Sequence, residues 1–442
     1  MSQTCNIPDV IDHAALSSFQ WRVFALCFLV AIFDGFDTQA IAYTGPAIIE
    51  TLQLSTGGLA PILSAGIVGM ALGAMALGLF GDRFGRRPTV MGAVALFALA
   101  TLATAFASNA EQILVLRFLA GLGMGGATPV LLALASEYGP ARLRGAIVTG
   151  ILLGLPAGAM LGGLLAAQLM PLIGWQGIFL AGGLLPLALL VGLYFALPES
   201  LQFLATRSGE TAQVRRILAR ISSRTLADDV RFSVPEAATR TSVRALFGPG
   251  LARNTLAVWL TYLFNWVAWF MFLSWLPTVL KTAGLPVEQA PLGTVTVNAV
   301  FILCAIPLSI LLPRLNTRNV LLGLFALGVL VSLGLSLSGD NWVLVFLLVG
   351  AAGLGIGGQQ IALNYLVVSA YPTSLRATAT GWAIGLGRVG AIIGSALGGT
   401  FLEWGGVAGF YMALAIPLLL ALVAVALIRG SEKPSGGLVA AH

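Results

Sequence analysis

Membrane-length apolar stretches recur along the whole of this chain, at 20–43, 58–80, 88–108, 112–135, 145–169, 175–197, 252–276, 291–312, 318–338, 341–367, 378–401 and 407–429. A run of about 20 apolar residues can cross a bilayer as a helix. Inside hydrocarbon only helices and closed barrels satisfy their own backbone groups. Of the 442 residues 58% are hydrophobic and 9% charged, where soluble proteins carry about 25% charged. The pattern predicts an all-α integral membrane protein with twelve transmembrane helices.

The charges test that count. With the N-terminus placed in the cytoplasm, 20 of the 23 Lys and Arg fall on the inner side, including Arg22, Arg83, Arg86, Arg87, Arg142, Arg144 and nine arginines between 207 and 253. The outer side receives Lys281 against five acids, Glu50, Glu111, Glu288, Asp340 and Glu403. Short loops thus obey the positive-inside rule, and the net charge of +6 reports topology. Basic residues spread over such loops, with no aromatic interleaving, argue against nucleic acid as a partner. Met1–Ser18 is polar and holds Asp9 and Asp12, so the first apolar run reads as a span rather than a cleaved signal. Cys5, Cys27 and Cys304 form neither a disulfide framework nor a metal spacing.

One long polar stretch, 198–251, divides the spans six and six. The expected organisation is a tail 1–18, a six-helix bundle 19–197, a cytoplasmic loop 198–251, a second bundle 252–429 and a tail 430–442. Within the loop Val214, Ile217, Leu218 and Ile221 recur at helical spacing between arginines, the pattern of an amphipathic helix on the cytoplasmic face. The halves repeat: Gly121-Leu122-Gly123-Met124-Gly125-Gly126 matches Gly353-Leu354-Gly355-Ile356-Gly357-Gly358 at an offset of 232, and Leu143-Arg144 matches Leu375-Arg376 at the same offset. Duplicated halves around a polar loop suit a rocking transporter with its site at the midplane between them.

The loop Gly78-Leu79-Phe80-Gly81-Asp82-Arg83-Phe84-Gly85-Arg86-Arg87-Pro88 resembles the signature of the major facilitator superfamily, and Arg117 with Gly121 and Gly123 resembles its span-four motif. Asp34-Gly35-Phe36-Asp37 in span one and Gly387-Arg388-Val389-Gly390 in span eleven are similar to the aromatic acid:proton symporter family within it. The resemblance implies the major facilitator fold and an importer of benzoate-like acids in a bacterial inner membrane, with both termini cytoplasmic. It also implies a cytoplasmic gate built from Asp82, Arg83, Arg86, Arg87 and Glu137. Two departures stand out. Pro313-Arg314-Leu315-Asn316-Thr317-Arg318, where a second signature loop belongs, has no aspartate, and Leu155 follows Gly154 where the antiporter motif of drug exporters has proline.

Charges within the spans carry the mechanism. An ionised acid in hydrocarbon costs several kcal/mol, yet Asp34 and Asp37 lie on one helical face at i and i+3. They fall about 20 and 25 Å along span one, in its middle and outer half. No histidine lies in the membrane, so any proton carrier must be a carboxylate. Arg117, roughly 8 Å into span four from the outer side, can reach Asp37, either as a permanent ion pair or as one that opens when Asp37 takes a proton. Arg388 has no acid within its own span. It is the first choice to anchor a substrate carboxylate through a two-pronged pair, the other reading being a bond to a backbone carbonyl. Asn265 and Trp266 in span seven are candidates for a ring-binding wall. Gln360 and Asn364 in span ten can bind ring hydroxyls or bridge helices.

The sequence has no Gly-x-x-x-x-Gly-Lys-Ser/Thr loop, and no intramembrane metal set or Ser–His pair. The expectation is therefore not an enzyme but a proton-coupled secondary transporter of a small aromatic carboxylate, with the proton as coupling ion, no cofactor and a monomeric state. A proton-driven exporter is the alternative, and a membrane sensor a more distant one.

Overall fold

The computed structural model describes residues 4–206, 211–222, 231–233 and 242–428. Among the described residues, eleven helices are long and apolar enough to cross a membrane. They are Ser18–Leu52 (span one), Gly57–Phe84 (two), Arg86–Thr104 (three), Ala110–Tyr138 (four), Ala141–Ile173 (five), Gln176–Ala196 (six), Ala252–Thr282 (seven), Pro291–Arg314 (eight), Thr317–Leu337 (nine), Trp342–Ala370 (ten) and Ser374–Leu427. The last of these is two spans. Gly406, with φ 61° and ψ −160°, breaks it into 374–405 (eleven) and 407–427 (twelve). Twelve crossings result, as the apolar pattern predicts.

Helix ends follow backbone satisfaction rather than the limits of the apolar run. Span one opens on a capping box between Ser17 and Gln20 and runs through Pro46 to a left-handed Gln53 at φ 52°. It is 35 residues long, so Asp34 and Asp37 sit at its centre and not toward its outer half as the shorter predicted span placed them. Spans two and three are joined by Gly85 alone, at φ 105°. A Cβ there would lie 2.4 Å from the Glu199 carboxylate. That carboxylate instead accepts the Arg86 and Arg87 amides at 2.8 and 3.1 Å, doing for span three what its side-chain-free first cap cannot.

Small residues bring the helices into backbone contact, as membrane packing requires. In the first half, a Cβ on Gly35 would lie 2.0 Å from the Leu155 carbonyl oxygen, and one on Gly158 1.8 Å from that of Ile32. These two glycines seal span one to span five. Gly121 and Gly125 seal span four to span two in the same way, against the carbonyls of Gly66 and Met70. The second half repeats the arrangement, with Gly390 and Gly394 of span eleven on Leu263 and Val267 of span seven, and Gly353 of span ten on Val297 of span eight. The sequence repeat is thus a repeat of packing, with one difference. The first glycine run is regular α-helix, whereas Gly353–Gly357 forms a π-helical turn.

The two halves meet on the side that carries the acidic loops. Lys281 pairs with Glu50, the Gly57 amide donates to Glu403 at 2.6 Å, and Gly163 packs on Val295 and the Pro291 carbonyl. Toward the basic side no hydrogen bond or ion pair joins the halves among the described residues. Gly154–Ile173 of span five packs on span eight, but its basic-side part, Ala141–Leu152, packs chiefly on spans one and four.

In the polar loop the predicted amphipathic helix is present as Thr211–Ser222. Val214, Ile217, Leu218 and Ile221 are buried in one cluster with Ile7, Ile11, Leu201 and Leu204, so protein rather than lipid covers that face. Thr4–Asn6 and Arg231–Ser233 form a short parallel pair of strands that the sequence does not announce. Arg207, Arg224 and Arg240 of this loop, and the tail after 428, lie outside the described residues.

The glycine seams make a direct prediction. Gly35→Ala must push span one off span five and should lower stability by about 1–3 kcal/mol, the usual penalty of overpacking, while halting transport. Gly150→Ala, whose added methyl would meet nothing within 4 Å, should be neutral. Thermal unfolding of both variants in detergent micelles checks this.

Candidate functional site

The Gly35 seam turns the faces of span one. With Gly35 against span five, Asp37 points at spans three and four. Arg117 Nη1 donates to both Asp37 carboxylate oxygens at 3.1 and 3.2 Å. Its Nη2 donates to the hydroxyls of Thr101 and Thr104 at 2.9 and 3.1 Å. Thr101 in turn donates to Asp37 Oδ1 at 2.8 Å. The Phe179 ring of span six lies 5.0 Å from the guanidinium carbon, within cation–π range. Asp37 is 1% and Arg117 2% exposed, so spans one, three, four and six close around one buried ion pair.

Asp34 is as deeply buried, at 1%, and has no cation in hydrogen-bond contact among the described residues. Its Oδ1 accepts from Thr38 at 3.3 Å and its Oδ2 from Thr128 of span four. The positive charge of Arg388, across the interface between the halves, acts on it. Arg388 Nη1 donates to the backbone carbonyl of Met70 in span two at 2.7 Å. Of the two readings for this arginine, the bond to a backbone carbonyl is therefore the one the described conformation contains. That carbonyl is a neutral acceptor belonging to the opposite half.

The four polar candidates of the second half come together. Gln360 Oε1 accepts from Asn265 Nδ2 at 3.0 Å and from Trp266 Nε1 at 2.6 Å. Gln360 Nε2 donates to Asn364 Oδ1 at 3.0 Å, which also accepts the Tyr262 hydroxyl at 2.8 Å. Asn265 Oδ1 is buried without a hydrogen-bond partner. Gly387, beside Arg388, lies flat on the Trp266 indole, where an added methyl would sit 2.9 Å from the ring. This contact places the network next to the arginine. Two other intramembrane amides bind only backbone: Asn298 to the Thr294 carbonyl at 2.9 Å, and Gln359 to the carbonyls of Leu324 and Gly355.

The four charges of the basic-side loop, Asp82, Arg83, Arg86 and Arg87, and Glu137 of span four do not form one cluster. Arg86 pairs with Glu137, whose other oxygen accepts the Ser200 hydroxyl at 2.6 Å. Arg87 donates to the Tyr194 carbonyl and stacks over its ring at 5.7 Å. Arg83 lies over Phe84. Asp82 is exposed, forms no ion pair among the described residues, and lines a groove of about 290 Å³ with Arg86, Pro129 and Ala133. All these partners belong to the first half. The Arg86–Glu137 pair therefore ties spans three and four to the segment after span six, and no bond among the described residues runs from this loop to the second half.

Thr38, Thr101, Thr104, Thr128, Tyr262, Glu199 and Ser200 were not singled out by the sequence reading. The signal was available for the threonines and tyrosine, since each is a hydroxyl inside an apolar span. It was available for Glu199 and Ser200 in the Pro198-Glu199-Ser200 step that closes span six.

The chain matches the Major Facilitator Superfamily model over residues 27–389 and again over 258–441. It is 39% identical over 425 residues to the gallate transporter of Pseudomonas putida, covering 95% of this chain and 94% of that one. It is 39% identical over 439 residues to the 4-hydroxybenzoate transporter PcaK of Pseudomonas aeruginosa, covering 96% of each. Among solved structures, the D-xylose-proton symporter shares the fold, with a TM-score of 0.73 over 93% of this chain and 97% of that one at 19% identity. The chain belongs to the major facilitator superfamily, a class of multi-pass membrane transporters, as its signature loop and span-one acids suggested.

The ion pair gives a second prediction. Removing one partner of a buried pair leaves an uncompensated charge and costs about 3–5 kcal/mol. Arg117→Gln should therefore lower stability sharply. Adding Asp37→Asn to it should restore most of the loss without restoring transport. Unfolding temperatures and uptake measured on the single and double variants check both parts.

Proposed function

We propose that the protein imports a small aromatic carboxylate together with protons, by alternating access. On this reading its basic side faces the cytoplasm of a bacterial inner membrane, it works as a monomer and it needs no cofactor. The observation that carries the reading is the position of Arg388. Its guanidinium stands at the interface of the halves, holding a neutral carbonyl of the opposite half while the Asp34 carboxyl lies nearby. A substrate carboxylate offers that fork two charged oxygens in place of one neutral one, a stronger partner. It would thereby exchange an inter-half contact for a substrate contact.

The two named relatives support the substrate class. Gallate and 4-hydroxybenzoate share a carboxylate and a ring hydroxyl opposite it. In this chain the carboxylate would go to Arg388, the ring against Trp266, and the hydroxyl to the Gln360–Asn364–Tyr262 network. Asp34 and Asp37 supply the coupling protons. Arg117 is the counter-charge of the Asp37 carboxylate inside the bundle, and Asp34 changes charge as Arg388 gains or loses a partner. In such a cycle the inward-open form is the one in which the halves part toward the basic side.

Two predictions follow from these roles. Proteoliposomes carrying the protein should accumulate radiolabelled 4-hydroxybenzoate when the outside is made acidic. One proton per monoanion is electroneutral, and each pH unit then supports up to about tenfold accumulation. Asp34→Asn and Asp37→Asn should each abolish accumulation. Normal accumulation by both variants would remove these acids from the mechanism, and efflux coupled to proton influx would favour an exporter.

Arg388→Lys should weaken substrate binding at least tenfold, because a point charge lacks the planar fork, and 4-hydroxybenzamide should bind poorly to the unmodified protein. Titration calorimetry in detergent reads both. Unchanged affinity in Arg388→Ala would move the anchor elsewhere.

A further inference from the structure

A small cavity lies between spans one, two and four. Its volume is about 20 Å³ and its lining includes Asp37, Thr38, Gly66, Met70 and Arg117. One water needs roughly 10–15 Å³ by this measure and two to four polar partners. The partners are present. Asp37 offers carboxylate oxygens, Thr38 a hydroxyl, and Arg117 a buried Nε–H that has no hydrogen-bond partner. Thr38 belongs to both acids, because it lines this cavity with Asp37 and donates to Asp34 Oδ1 at 3.3 Å.

We infer that the cavity binds one water, and that this water and the Thr38 hydroxyl pass a proton between Asp37 and Asp34. The inference rests on the proton-coupled reading above. In the forward step a protonated Asp37 gives its proton to the water, and the water gives one of its own to the Thr38 oxygen. The original hydroxyl proton of Thr38 then moves onto Asp34 Oδ1. One proton leaves Asp37, one arrives on Asp34, and the water and hydroxyl are regenerated. The charged groups around the two ends favour a directed exchange. The Asp37 carboxylate is received by Arg117 and by Thr101. Neutralising Asp34, which otherwise faces Thr38, Thr128 and the field of Arg388, removes a carboxylate whose charge acts on Arg388. A substrate carboxylate can then supply that charge and displace the neutral Met70 carbonyl from the guanidinium. Proton arrival at Asp34 thus precedes substrate binding.

Thr38→Val removes the hydroxyl at nearly constant volume, and Thr38→Ser keeps it. Gly66→Ala should fill the cavity without a clash, since its Cβ would meet only the Arg117 carbonyl oxygen, at 3.6 Å. Each variant is reconstituted and assayed twice with radiolabelled 4-hydroxybenzoate. One assay is accumulation driven by a pH gradient. The other is counterflow at equal pH, which exchanges substrate without net proton movement. The expected result is that Thr38→Val and Gly66→Ala lower the initial rate of pH-driven accumulation about tenfold or more, as loss of a positioned proton-transfer group does. Both should keep counterflow, and Thr38→Ser should behave as the unmodified protein. Normal accumulation by Thr38→Val overturns the relay, and so does equal loss of counterflow, which would make Thr38 a packing residue. Normal accumulation by Gly66→Ala overturns the part played by the water. If the unmodified protein itself shows counterflow but no pH-driven accumulation, it is the proton-coupled reading that fails.

Discussion

The ion pair between Asp37 and Arg117 is the constraint on which the first half depends. Two charges taken out of water cost several kcal/mol each, and their attraction offsets this only when the remaining donors and acceptors are also satisfied. Thr101 and Thr104 do that for the guanidinium, and Thr101 again for the carboxylate. The requirement fixes spans one, three and four relative to one another, with the Phe179 ring of span six closing the site. A bundle held in this way moves as a unit. The basic-side cluster of Arg86, Glu137, Ser200 and Glu199 works to the same end, because its bonds also stay within that half.

Among the described residues the second half has no such internal pair. Arg388 finds its acceptor on Met70, in the other half, and the charge of Asp34, also in that half, acts on it. In the proposed cycle, a cation whose partners lie across the interface between the halves must change partners when that interface opens. The unequal distribution of charge therefore divides the labour: acids and their fixed counter-charge on one side, an exchangeable guanidinium beside an amide and indole network on the other. The repeated glycine sequence shows the same divergence at backbone level. Gly121–Gly126 remains α-helical and seals span four to span two, whereas Gly353–Gly357 widens into a π turn directly before Gln359 and Gln360. A π turn shifts the register of everything after it, and such turns concentrate at functional sites.

Much of this was legible in the chain itself. Twelve crossings, the duplication and the asymmetry of charge follow from hydropathy and from where arginines can be tolerated, since the bilayer imposes both as one-dimensional rules. The cost of an intramembrane charge picked out Asp34, Asp37, Arg117 and Arg388 without a structure, because few positions can carry that cost. Asn265, Trp266, Gln360 and Asn364 were likewise visible as polar groups in apolar spans.

The sequence did not decide partnership. Asp37 and Arg117 are 80 positions apart, and nothing local separates a pair with Arg117 from one with Arg388. The choice was made by the contact of Gly35 with Leu155, which sets the rotation of span one and so the direction each acid faces. The loop charges were placed by the one-residue turn at Gly85 and by Glu199 reaching back to cap span three, which kept them within one half. Sequence determined which residues could not be idle in a membrane, because desolvation acts on each residue separately. Tertiary structure decided what each of them holds, because hydrogen bonds and ion pairs act over a few ångströms and depend on how neighbouring helices are turned.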